Sequence, residues 1–179
     1  MKKFLYLLAA LIAAVSLTAV SQAAPRKAAP RILFINASPD AKGNTAALAA
    51  KALSGKRFET LNLVDYRINA YGQKLPGDQF PAVLAKIRAA DVIVFGSPVY
   101  WHNISGTMRT LLDRFYGVVD RDGLKGRKMA FLFQGQAPQK WMLEAGEYTM
   151  KGFASLFGME YLGMATNVDE AIALSPRIR

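Results

Sequence analysis

Two short apolar runs, Ile32-Leu33-Phe34-Ile35 and Val92-Ile93-Val94-Phe95, constrain this chain more than any other feature. Each is rich in β-branched and aromatic side chains, and neither alternates with polar residues. Each therefore reads as a strand buried on both faces, the situation of a central strand in a parallel sheet. The second run is expected to stop at Gly96, ahead of the loop Ser97-Pro98-Val99-Tyr100-Trp101-His102-Asn103. Ile104, Met108, Leu111, Leu112 and Phe115 then recur at helical spacing, with Gly117 as a stop. Strand, polar-aromatic loop and helix make half of a βαβ unit, and in such sheets ligands bind outside the carboxyl ends of the strands.

The first run ends in a loop of a different kind, Ser38-Pro39-Asp40-Ala41-Lys42-Gly43-Asn44-Thr45, followed by the Ala-rich, helix-forming segment Ala46 to Leu53. A small-polar loop between strand and helix offers backbone N–H groups and the positive helix end to a phosphate. Ser38, Asn44 and Thr45 add side-chain donors, and Gly43 allows close backbone approach. The Gly-Lys-Ser/Thr ending of a Walker loop is missing. Asn44 or Thr45 acting only as a helix cap is the competing reading.

Three more strands complete the pattern. Phe58 to Val64 alternates and suits a peripheral strand, Lys128 to Phe133 alternates through Met129, Phe131 and Phe133, and Met159 to Ala165 is the last. Between them, Asp78 as N-cap and Pro81 open a helix with Val83, Leu84 and Ile87 inward. Leu143, Met150, Phe153 and Leu156 mark another that ends at Gly158. This alternation without internal repeats predicts one α/β domain over 31–179, an open, doubly wound, five-stranded parallel sheet. About a dozen residues follow the fifth strand and Pro176 interrupts them, so no full final helix is expected. One sheet face is then expected to need cover from a second copy, as a homodimer, or from the N-terminal arm.

Residues 1–23 stand apart. Lys2 and Lys3 precede an apolar stretch from Phe4 to about Val20 and then Ser21-Gln22-Ala23, the pattern of a secretory signal peptide. Cleavage after Ala23 is expected, leaving residues 24–30 as an exposed arm and placing the protein in the periplasm or outside the cell. An uncleaved anchor is the alternative, although the stretch is shorter than the roughly 20 residues a spanning helix needs. Removing Lys2 and Lys3 takes the 23 basic residues to 21 against 13 acidic ones. That excess favours anionic partners, but the basic residues are scattered without aromatic interleaving, so nucleic-acid binding is not indicated. With no Cys, the chain has no disulfides, thiolate metal sites or cysteine-held iron–sulfur clusters.

From about Arg31 to Val168 the chain resembles the flavodoxin-like fold, specifically the NAD(P)H-dependent FMN reductase and quinone reductase family. The match rests on Ser38-Pro39 to Gly43-Asn44-Thr45 after the first strand and Ser97-Pro98-Val99-Tyr100-Trp101 after the third. The resemblance implies strand order 2-1-3-4-5 and FMN at the switch point between strands one and three. It puts Ser38, Gly43, Asn44 and Thr45 on the FMN phosphate. It also implies that Pro98, Val99, Tyr100 and Trp101 lie along the isoalloxazine ring, bordered by Gln134 and Gly135. Core packing is the alternative for Tyr100 and Trp101.

Asp40 stands where the family often has a basic residue, and Lys42 is the expected replacement. Gln134-Gly135-Gln136 departs from the commoner Thr-Gly-Gly, and the absence of Cys excludes the family's iron–sulfur branch. His102, the single histidine, either donates to a substrate carbonyl or is an ordinary loop residue. The resemblance implies an FMN-dependent oxidoreductase passing hydride from a donor such as NAD(P)H to a quinone, flavin or similar small-molecule acceptor. No metal is expected and no catalytic side chain is assigned, because the cofactor carries the chemistry. An exported electron carrier or FMN-binding module without turnover, and a flavodoxin-like domain that binds no flavin, to which Asp40 and the changed third loop point, are the alternatives.

Overall fold

The computed structural model describes residues 28–179. The signal-peptide reading of residues 1–23 and most of the 24–30 arm lie outside the described residues. The strands are β1 (Ile32–Asn36), β2 (Phe58–Asn62), β3 (Val92–Tyr100), β4 (Asn103–Ile104), β5 (Lys128–Gln134) and β6 (Glu160–Ala165). The helices are α1 (Asn44–Ala52), α2 (Phe80–Ala89), α3 (Gly106–Asp113), α4 (Lys140–Leu156) and α5 (Val168–Leu174). The sheet order is β2-β1-β3-β5-β6, all parallel, with β4 antiparallel to the end of β3. The five parallel strands form the doubly wound sheet expected from the sequence, in the order that the family resemblance implies; β4 is an addition.

The unbroken apolar runs are explained by two cores. Leu33, Ile35, Ile93, Phe95, Phe131 and Phe133 face α2, α3 and α4, and meet Phe80, Ile87, Leu111, Met150 and Phe153. Ile32, Phe34, Val92, Val94, Ala130 and Leu132 face the other way, onto Leu48, Ala49 and Ala52 of α1 and onto Ala171 and Leu174 of α5. Successive strand residues point to opposite faces, so a sheet covered on both sides must be apolar at every position.

The carboxyl end of the chain departs from expectation. The second face is not left open: α5 and the turn after it seal it, with Ala171 and Ile178 fully buried. Seven residues suffice because the helix start is doubly served. Asn167 Oδ1 accepts from the Glu170 N–H at 3.0 Å, and Glu170 Oε2 accepts from the Thr166 N–H at 2.7 Å. This reciprocal capping offsets part of the nucleation cost of a short helix. A second copy is therefore not required to cover this face.

Two boundaries also move. β3 does not stop at Gly96 but runs to Tyr100. Ile104 belongs to β4 rather than to the following helix, which begins after Ser105. Gly96 serves packing instead of termination: a Cβ there would lie 2.7 Å from the Phe34 ring and 2.7 Å from Thr45 Cγ2. The absent side chain lets α1 and Phe34 close against the middle of the sheet.

Candidate functional site

The carboxyl ends of β1, β3 and β5 are neighbours in the sheet, with Asn36 level with Gly96 and Pro98 level with Gln134. The structure therefore brings the three predicted loops to one edge. The first is organised from below by Asn36, fully buried, whose Oδ1 accepts from the Ser38 N–H at 3.1 Å. Its amide nitrogen donates to the Asp40 carbonyl at 3.4 Å and to Asn62 Oδ1 at 3.3 Å. Ser38 Oγ accepts from the Asp40 N–H at 3.2 Å, which leaves the hydroxyl proton of Ser38 for another acceptor.

The loop ends at the start of α1, where Gly43 is the N-cap and no side chain among the described residues bonds the helix start. The capping reading of Asn44 or Thr45 is thus not what the structure shows. Uncapped, the first helical turn presents backbone N–H groups that lack an intrahelical acceptor. Asn44 is exposed at that end. Thr45 is buried; its methyl lies against Gly96, and its Oγ1 accepts from Gln134 Nε2 at 3.3 Å. That bond ties α1 to the end of β5.

The second loop is held by two buried hydroxyls. Ser97 Oγ donates to the Pro98 carbonyl and accepts from the Ser105 N–H, both at 2.9 Å. Ser105 caps α3 by accepting from the Met108 N–H at 3.3 Å and donates to the Ala37 carbonyl at 3.1 Å, so it joins the second loop to the first. Between these serines the chain makes a two-residue hairpin, with Tyr100 paired to Asn103 across Trp101 and His102. Both tip residues have positive φ, 46° and 70°. Tight turns of this kind favour Asn and Gly at those positions, so Trp101 and His102 are held in a strained conformation.

Trp101 is 95% exposed at the hairpin tip and Tyr100 is 46% exposed, which rules out core packing for both. His102 leans on Trp141 of α4, ring centres 5.1 Å apart, and Trp141 Nε1 donates to Gln139 Oε1 at 2.7 Å. An open cleft of about 220 Å³ lies between hairpin and third loop, lined by Val99, Trp101, His102, Gly135, Gln136, Ala137, Pro138 and Met142. Gly135 borders it, close enough to Val99 that a Cβ would stand 3.1 Å from the valine Cβ. Two larger cavities are remote from these loops. One of about 280 Å³ sits between α3 and α4, and one of about 610 Å³ lies at the amino edge beside Arg31 and Phe58.

Residues 30–171 match the family described as NADPH-dependent FMN reductase. The chain belongs to that family. YwqN of Bacillus subtilis, a protein named for NAD(P)H-dependent FMN-containing oxidoreductases, is 31% identical over 93 residues, 48% of this chain and 51% of its own. An iron–sulfur flavoprotein of Methanocaldococcus jannaschii is 31% identical over 98 residues, 47% of this chain and 51% of its own. The chain thus spans about half the length of these curated relatives. The solved Trp repressor binding protein of Bacillus subtilis superposes with a TM-score of 0.66 at 19% identity, covering 83% of this chain and 99% of that one, a likeness of fold.

The donors suit the FMN reductase family's anionic cofactor. Ser38 keeps a free hydroxyl proton, Asn44 is exposed beside an uncapped helix start, and Lys42 stands exposed in the same loop. Among the described residues no group of His, Asp and Glu is arranged to hold a metal ion, and no helix is long and apolar enough to cross a membrane. Asn36, Ser105 and Trp141 support the candidate site although the sequence expectations do not include them. Asn36 is detectable as the polar residue that ends an apolar run, whereas Ser105 stands in a largely polar stretch and nothing local ties Trp141 to His102, 39 positions away.

Proposed function

We propose that this chain is an FMN-dependent oxidoreductase that takes reducing equivalents from a donor such as NAD(P)H and passes them to a small acceptor, a quinone, a flavin or a similar compound. One observation carries the reading: an uncapped helix N-terminus with hydroxyl and amide donors shares one sheet edge with an open cleft walled by Val99, Trp101, His102, Gly135 and Pro138. Family membership supports it. When bound, FMN supplies the acceptance and release of hydride.

The chain's own residues bind and orient. Ser38, Lys42, Gly43, Asn44 and Thr45 form the loop that would hold the phosphate. Pro98, Val99, Tyr100 and Trp101 on one side, and Gln134 and Gly135 on the other, would flank the ring. The register pairing Pro98 with Gln134 roots these two walls on adjacent strands, so the sheet fixes their spacing at the base. Apolar and backbone contacts along the walls suit a flat ring whose polar groups lie at its rim.

Stopped-flow mixing of the FMN-loaded protein with NADPH and with NADH tests the enzyme reading. Bleaching of the flavin band followed by reoxidation on adding a quinone is expected, and reduction by neither nucleotide would overturn it. We further propose export, supported by Lys2, Lys3 and the apolar stretch behind them. The check is Edman sequencing of the mature protein, where a terminus at Ala24 is expected and retention of Met1 would contradict cleavage.

A further inference from the structure

The loop assigned to the phosphate contains an anion of its own. Asp40 Oδ1 accepts from the Lys42 N–H at 2.8 Å, and Oδ2 is turned toward Gly43, where a Cβ would lie 2.9 Å from it. Gly43 is the N-cap of α1, so the Asp40 carboxylate stands against the positive end of a helix that no side chain among the described residues caps. Among the described residues no lysine or arginine forms an ion pair with Asp40, which is exposed. The turn itself does not need the charge, because an asparagine Oδ1 accepts the same backbone hydrogen bond.

We propose that Asp40 sets the charge selectivity of the flavin site, its carboxylate weakening the hold on a phosphate-bearing flavin relative to the same flavin without phosphate. The inference rests on the flavin reading above. A phosphate monoester carries about −1.5 to −2 charges at neutral pH. The Lys42 ammonium, the Ser38 hydroxyl, the Asn44 amide and the first helical N–H groups attract it, and Asp40, which forms no ion pair with Lys42, repels it from within the same loop. Riboflavin has no phosphate and does not feel the opposition. The site therefore distinguishes FMN from riboflavin less sharply than its donors alone would allow.

The experiment titrates FMN and riboflavin separately into the parent protein, Asp40→Asn and Asp40→Ala, following flavin fluorescence at pH 7.5 in low and high salt. Asp40→Asn keeps the turn and removes the charge; Asp40→Ala removes the charge without adding a donor. Both variants are expected to bind FMN about 5- to 10-fold more tightly at low salt, the size expected of one screened like charge near the surface, with riboflavin affinity changed less than about twofold. The FMN gain is expected to shrink in high salt and below about pH 6, where the phosphate loses one charge. An unchanged ratio of FMN to riboflavin affinity in both variants overturns the proposal. So does tightening in Asp40→Asn alone, which would mark a new amide contact. If the parent and both variants bind neither flavin, the flavin reading itself falls, an outcome distinct from parallel binding with an unchanged ratio.

Discussion

At the amino edge of the sheet charged side chains engage one another, and at the carboxyl edge polar groups are left with capacity to spare. Arg31 meets Asp91 at 2.8 Å, Lys128 approaches Glu160 at 3.9 Å, and Lys86 pairs with Glu59. The Arg31 guanidinium holds the Asp91 carboxyl down at about 2. At the other end of the same strands, the chain places an uncapped helix, the Ser38 hydroxyl with a free proton, the exposed Asp40 carboxylate and two non-glycine residues at positive φ. The strands are common to both edges, so the contrast arises from the segments that join them. Order at the carboxyl edge comes from buried Asn36, Ser97 and Ser105, whose bonds leave the outward groups available.

Breaking the close approach between α1 and the sheet should have the largest effect. Gly96→Ala drives a methyl into Phe34 and Thr45 and is expected to cost about 3 kcal/mol in thermal unfolding, with loss of FMN binding. Ser105→Ala leaves the Ala37 carbonyl and the Met108 N–H without their partner. A loss of about 1–2 kcal/mol in urea unfolding is expected, with weaker FMN binding because the first two loops separate.

A pair outside the site calibrates those losses. Arg114 donates to Asp78 at 2.7 Å and, together with the Asn69 and Phe80 N–H groups, holds the Asp78 carboxyl down at about 2. A depressed carboxyl stabilises the fold above its unfolded value near 4, and the contribution fades as pH falls through about 2. Asp78→Asn should therefore melt lower than the parent at pH 7 and converge on it toward pH 2, with FMN affinity unchanged at neutral pH. A gap that stays constant down to pH 2 would show that the ion pair is not its source.

The strained tip inverts the sign. Replacing Trp101-His102 by Asn-Gly suits both positive φ angles and is expected to raise stability by about 1 kcal/mol while impairing reduction of the acceptor. A less stable double variant would mean that the contact of His102 with Trp141 outweighs the strain. The smallest effect is expected at the opposite edge, where Arg31→Ala removes one exposed pair and should leave both the melt and FMN affinity within experimental scatter.

The sheet was legible because a strand buried on two faces admits no polar position, and Ile32–Ile35 and Val92–Phe95 have none. The loops at its edge were legible from small polar residues placed directly after those strands. The hairpin was not, since Trp and His carry no local signal for a turn that ordinarily takes Asn and Gly, and Gly96 looked like a terminator when its role is contact. α5 was hidden for another reason. Its seven residues and Pro176 argue against a helix until the reciprocal bonds of Thr166, Asn167 and Glu170 are seen. Thr45 illustrates the limit at the site: its place in the loop was readable, but its bond to Gln134 depends on α1 and β5 meeting across 89 positions.

We propose that the carboxyl edge of the sheet is a flavin site. Titrating purified residues 24–179 with FMN while recording the visible spectrum and flavin fluorescence tests it most directly. Saturation at one FMN per chain with a shifted flavin band is predicted, and Gly96→Ala should abolish it while Arg31→Ala does not. An unchanged flavin spectrum at saturating FMN, from a protein whose thermal melt shows it to be folded, would contradict the account.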